Sequence, residues 1–199
     1  MVMPVTVIAY HHSMGRWEPD ARGRLAKAAM ELYAEYGFEQ TTVAEIAARA
    51  GLTERTFFRH FADKREVLFY GMERLRDLLA RAVADAPAAA TAMDLVGTAF
   101  EAAAAVLQEN PERVRLRDAI VSANADLRER ELIKLAALAD AVAGALRDRG
   151  IAEPGASLAA ETGVAVFKVA FARWVNAPGQ PDLPGIYRES MADLRGVLA

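Results

Sequence analysis

Residues 41–68 read TTVAEIAARAGLTERTFFRHFADKREVL, and the spacing of side chains in this stretch predicts two short helices joined by a tight turn. Thr42 followed three residues later by Glu45 is a capping box: the hydroxyl takes an orphan amide of the first turn while the carboxylate reaches back to the cap. Val43, Ile46, Ala47 and Ala50 then share one face at helical spacing. Gly51 supplies the permissive backbone that ends the helix. Leu52 can plug the angle between the helices and Thr53 is a favourable N-cap. A second helix is expected from Glu54 to about Phe61, with Phe57 and Phe61 one turn apart on its inner face. This is a helix-turn-helix pattern whose second helix is suited to a DNA groove. Asp63 and Glu66 repeat the box spacing, which predicts a long helix from Asp63 through Leu68, Leu75, Leu79 and Val83 to about Asp85.

The 199 residues are rich in alanine, the strongest helix former, and contain no run of alternating apolar and polar β-branched residues. The expected fold class is all-α. With no cysteine, disulfides and thiolate metal sites are excluded. The three histidines show no spacing of the His-x-x-x-His or Glu-x-x-His kind, so no metal and no cofactor are expected. The formal net charge of −3 argues against nucleic acid taken alone. Its distribution does not: Arg49, Arg55, Arg59, Lys64 and Arg65 stand against only Glu54 and Asp63 in that stretch, and screening confines exposed charges to about 8 Å at physiological salt. Residues 1–18 read as an irregular tail with neither signal-peptide nor membrane-span character, and Met14 is an alternative start. A cytoplasmic protein without membrane contact is expected.

The stretch is similar to the DNA-binding domain of the TetR family of bacterial transcriptional regulators. The resemblance rests on Thr41, Thr42, Val43, Ile46, Ala47, Ala50, Gly51, Thr53, Thr56, Phe57, Phe58, His60, Phe61, Lys64 and Val67 or Leu68. Upstream, Leu25, Ala28, Ala29, Leu32 and Tyr36 form a helical stripe leading to Gly37-Phe38. The resemblance implies three parts: a tail at 1–18, a three-helix helix-turn-helix domain at 19–66, and a larger helical ligand-binding and dimerisation domain at 67–199. It also implies DNA contacts from Thr42, Thr53, Glu54, Arg55, Thr56, Phe58, Arg59, His60 and Lys64. Arg55 is the expected base reader, since a guanidinium holds guanine O6 and N7 in bidentate fashion. Lys64 is expected to clamp a phosphate, with Thr42 and His60 as further backbone donors. Glu54 either accepts from a cytosine or only favours the helix dipole; Arg59 either meets phosphate or is solvated. Two departures stand out. Arg55 occupies a position where many members carry a small residue, and Phe58 replaces a frequent tyrosine, removing a hydroxyl donor.

In the rest of the chain, helices are expected from Thr91 with Met93, Val96, Phe100 and Leu107 in register, from Asn110 with Pro111 at the first position, and from Leu127 to Arg149 before Gly150. Residues 157–176 are apolar nearly all round, which requires burial on more than one side. The last segment, from Pro184, puts Ile186, Met191, Leu194 and Val197 on one face. By resemblance these last two helices form a four-helix interface in a homodimer. The larger domain is then expected to hold a small, largely apolar effector, with Phe100, Leu107, Ile120, Val121, Phe167, Phe171 and Trp174 as lining candidates. The expected function is a dimeric repressor of a near-palindromic operator. The alternative is a helical regulator with no small-molecule effector, constitutive or answering to a protein partner. No phosphate loop, zinc-binding pair or nucleophile elbow points to an enzyme.

Overall fold

The computed structural model describes residues 20–179 and 181–198; the expected tail and the alternative start at Met14 lie outside the described residues. Among the described residues there are α-helices and one short 3-10 helix, and no strand. The head comprises α1 (Ala21–Tyr36), α2 (Val43–Arg49) and α3 (Glu54–His60). A 3-10 helix over Glu66–Phe69 leads to the bundle of α4 (Met72–Asp85), α5 (Ala92–Gln108), α6 (Pro111–Ala123), α7 (Ala125–Asp148), α8 (Gly155–Asn176) and α9 (Leu183–Leu198).

Local chemistry sets most of these boundaries. Thr91 and Asp94 form a second complete capping box at α5, and Asn110 accepts from the Arg113 amide ahead of Pro111. Gly150, at φ 85°, follows α7. The α4 C-terminus is closed from a distance: the Arg149 guanidinium donates to the carbonyls of Val83, Ala84, Ala86 and Pro87 at 2.7–3.1 Å, taking up the orphan acceptors that end a helix.

The structure corrects three expectations. The helix from Asp63 to Asp85 is broken. Asp63 does accept from the Glu66 amide at 2.9 Å, but Gly71 sits at φ 99°, where a right-handed helix cannot continue. Val67, Leu68 and Phe69 are all buried, because this segment lies between the head and the α6–α7 corner. The stripe of α1 ends on Tyr33 rather than Tyr36, which is exposed. Phe38, turned back at Gly37 (φ 86°), meets Tyr33 edge-on at 5.2 Å and closes that end of the face. On α9 the inward face is Leu183, Tyr187, Ser190 and Met191, whereas Val197 is 81% exposed.

Two cores result. One fills the bundle, where α4 packs on α5 and α7, and α8 on α5, α7 and α9. The other fills the head and takes in Ile120, Val121 and Leu127 from the α6–α7 corner. Polar contacts bind that corner further: Arg117 donates to the Leu68 carbonyl and pairs with Glu131, while Arg130 reaches Glu66 at 2.6 Å and Asp63 at 3.6 Å. The bundle therefore holds the head through two connections, the Gly71 joint and this corner. By length and composition α8 could cross a membrane, yet here it packs against three other helices of the bundle.

Candidate nucleic-acid interface

The helix-turn-helix is assembled from short-range bonds. Thr42 caps α2 with both halves of the box formed: the Glu45 amide donates to its hydroxyl at 3.2 Å, and its own amide donates to Glu45 Oε2 at 2.8 Å. Those bonds, led by the Thr42 amide, hold the Glu45 carboxyl below its ordinary range. The turn passes through Gly51 at φ 67°, and Arg24 from α1 donates to the Ala50 carbonyl. Thr53 caps α3, accepting from the Thr56 amide at 3.2 Å. Phe57 and Phe61, 5.6 Å apart, are buried and anchor α3.

With its inner face fixed in this way, α3 presents Glu54, Arg55, Phe58 and Arg59 to solvent. Phe58 is 55% exposed although it packs edge-on against Phe57, so its ring is held upright. Among the described residues neither Arg55 nor Arg59 has an ion-pair or hydrogen-bond partner. Two unneutralised guanidiniums flanking an upright aromatic ring can meet phosphate, a guanine edge and a thymine methyl.

The other expected contacts are placed differently. Lys64 does not face outward as a phosphate clamp. Its ammonium donates to the carbonyls of Phe38, Glu39 and Thr41 at 2.8, 3.0 and 3.0 Å and lies 4.7 Å from the Phe38 ring, so all three donors are used. The hydroxyl of Thr42 donates to Glu45, and those of Thr53 and Thr56 stand 3.1 Å apart. His60 follows Phe57 by three residues and so turns toward the inner face; its Nε2 is buried, with no partner among the described residues. The basic patch also shrinks, because Arg49 forms a bidentate pair with Glu35 at 2.9 Å and Arg65 lies 4.0 Å from Asp126. Arg55 and Arg59 are what remains of it.

The lining candidates of the bundle divide. Phe100, Phe167, Phe171 and Trp174 form one aromatic ladder with successive centroids 5.5, 6.3 and 5.8 Å apart, and Leu107 packs against the same bundle core. Ile120 and Val121 do not join them, being part of the head core. Sequence reading missed Tyr187, which lies 6.2 Å from Phe100 and 6.1 Å from Phe167. Its hydroxyl is buried without a partner, and burial pushes its pKa up. It also missed Arg115, whose guanidinium covers the Trp174 ring at 5.1 Å. Tyr187 was legible in one respect, since it falls one turn from both Leu183 and Met191.

A fixed helix-turn-helix with an outward cationic helix, carried on an all-α bundle, has the geometry of a DNA-binding module. Residues 25–70 match the family described as bacterial regulatory proteins, tetR family. The chain is similar to TcmR, an HTH-type transcriptional regulator of Streptomyces glaucescens, with 36% identity over 81 residues; the match covers 41% of this chain and 36% of TcmR. Two solved structures share the fold. One is Thermus thermophilus FadR, a TetR-family repressor in complex with lauroyl-CoA, at 24% identity and TM-score 0.58, covering 87% of this chain and 93% of that one. The other is SmeT of Stenotrophomonas maltophilia in complex with triclosan, at 26% identity and TM-score 0.61, covering 87% and 90%.

Proposed function

We propose that this chain is a cytoplasmic dimeric repressor that holds a near-palindromic operator with α3 of each subunit and is released by a small, largely apolar ligand. The observation that carries the reading is the outer face of α3, where Arg55, Phe58 and Arg59 are exposed and both guanidiniums lack an internal partner. The division of labour follows the two cores, with the head ending at the Gly71 joint rather than at residue 66. The effector part draws on the aromatic ladder and on the ligands that FadR and SmeT hold.

The test begins with a duplex selected from a random pool. Arg55→Ala is expected to weaken binding to that duplex by about 1–3 kcal/mol and to relax preference at one position per half-site. Arg59→Ala is expected to weaken all sequences alike and to flatten log K against log salt by about 0.9 per phosphate lost in each subunit. Equal losses at unchanged base preference for both variants remove Arg55 from the reader role.

Dimerisation draws on α8. Its buried side is Ala159, Ala160, Gly163, Val166, Phe167, Ala170 and Trp174. The opposite side leaves Leu158 and Val169 64% and 58% exposed, and Ala165 and Ala172 complete a seam at heptad spacing. Two such seams with α9 are expected to bury roughly 2,000 Å². Sedimentation at low micromolar concentration should give twice the 21.6 kDa chain mass, and Val169→Glu should give monomer. A wild-type monomer there rules the dimer out.

A second reading, a regulator with no small-molecule effector, draws on where two surface clefts lie. Two clefts of about 180 and 530 Å³ open at the surface, beside Arg65 and Asp126 and between α4 and α7, and none of the lining candidates borders either one. Under this reading no ligand shifts operator affinity.

A further inference from the structure

The head is attached to the bundle by two kinds of contact that constrain it unequally. Ile120, Val121 and Leu127 bury apolar surface in the head core, but apolar burial is non-directional and lets packed faces slide or turn. Direction comes from charge. Arg130, in the second turn of α7, donates to Glu66 at 2.6 Å and lies 3.6 Å from Asp63, and Asp63 stands three residues beyond His60, the last residue of α3. Lys134, one turn further along α7, lies 3.5 Å from the same Glu66. A second tie spans the Gly71 joint, where Tyr70 donates to Asp20 at 2.9 Å just before it and Arg22 donates to Glu73 at 3.1 Å just after it. The two ties are not equal, because the Glu73 side chain is 70% exposed and that of Glu66 only 29%. Solvent and salt therefore screen the Arg130 tie less.

We propose that Arg130 is a positioning residue for operator recognition: by holding the segment after α3 against α7 it fixes the angle of each head, and so sets which half-site spacing the dimer accepts. The proposal rests on the dimeric repressor reading above and names the residue behind its spacing selectivity. By size scaling, a head of this length is roughly 25 Å across. Turning it by about 8° carries its far edge through about 3.4 Å, the rise of one base pair. The two heads must meet half-sites a whole number of helical turns apart, so a turn of that size costs contacts at both. Partly exposed ion pairs contribute little to stability. Losing Arg130 therefore leaves the fold and the outer face of α3 unchanged and frees the angle at which that face is presented.

The test uses the full chain and a set of duplexes that keep the selected half-sites and change the distance between them by one or two base pairs in either direction, with a single half-site as control. Wild type should bind one spacing about tenfold or more tightly than its neighbours. Arg130→Gln should lose affinity at that spacing and gain at the shifted ones, narrowing the preference to about threefold or less. Its binding to the single half-site, its base preference and its melting temperature should stay at wild-type values. Glu66→Gln should flatten the profile in the same way, and the double variant should be no flatter than Glu66→Gln alone, since both remove one interaction. Arg130→Lys, which keeps the charge, should recover part of the preference. A purely structural role lowers affinity for every duplex, the single half-site included, and leaves the shape of the profile alone; that result overturns the proposal, and so does an Arg130→Gln profile that matches wild type. A wild type that binds the selected duplex with no spacing preference also overturns it and leaves the repressor reading standing. If wild type binds no duplex, the repressor reading itself falls.

Discussion

Replacing Gly163 by valine is expected to destabilise the bundle by about 3 kcal/mol or more, a large share of the 5–15 kcal/mol that holds a typical domain together. A Cβ at this position would stand 2.4 Å from Val96 Cγ1 and 2.6 Å from Phe100 Cε2, well inside van der Waals contact. Phe100 cannot retreat, since Phe167 and Tyr187 pack on it at 5.5 and 6.2 Å. Glycine is the residue that lets α8 approach α5 this closely. The sign of the alanine variant is diagnostic. At a helical glycine with room, alanine gains up to about 1 kcal/mol of helix propensity, and Gly97 and Gly144, where the nearest atoms lie at 3.9 and 3.7 Å, should behave in that way. Gly163→Ala should instead destabilise, and Val96→Ala in the same chain should recover part of the loss. Urea unfolding checks this: the midpoint falls while the slope is unchanged. A Gly163→Val chain unfolding at the wild-type midpoint would show that α5 and α8 are not in close contact.

Lys64→Met is the second large effect, expected to destabilise the head by about 2–4 kcal/mol through the loss of three charge-assisted bonds to carbonyls that are left unpaired. The ammonium joins the segment that follows α3 to the turn between α1 and α2, so it sets how α3 stands relative to the cap of α2. DNA affinity should therefore fall for every sequence, with no change in salt slope per bound head. A lysine that clamps phosphate behaves in the opposite way, leaving stability unchanged and lowering the slope by about 0.9 per contact. Urea midpoints and salt titrations on the Lys64→Met and Arg59→Ala variants separate the two roles. Wild-type stability with a reduced slope in Lys64→Met would return Lys64 to the phosphate-contacting set.

The contrast between Lys64 and Arg55 shows where the amino-acid sequence is informative. Both are cations in the same motif, and both suggested DNA contact. Arg55 stays outward because its orientation follows from α3 alone: Thr53 caps the helix, Phe57 and Phe61 take its inner face, and position 55 is left on the other side. Lys64 is turned inward by carbonyls 23–26 residues away, and no local pattern records them.

What the sequence by itself determined is the set of features made by neighbours within a turn or two: the capping box at Thr42, the helix start at Thr91, the glycine ends at Gly51 and Gly150, the all-α class and the helix-turn-helix with its outward Arg55. Gly71 was a local signal too, but its effect on the predicted long helix became plain only with Val67, Leu68 and Phe69 buried between the head and the α6–α7 corner. Tertiary structure alone decided that Ile120 and Val121 pack with the head, that Tyr33 rather than Tyr36 closes α1, and that Tyr187 and Arg115 flank the aromatic ladder. A cap or a turn depends on atoms a few bonds apart, which the order of residues specifies directly, whereas the choice of which apolar face meets which depends on the packing of all the helices at once.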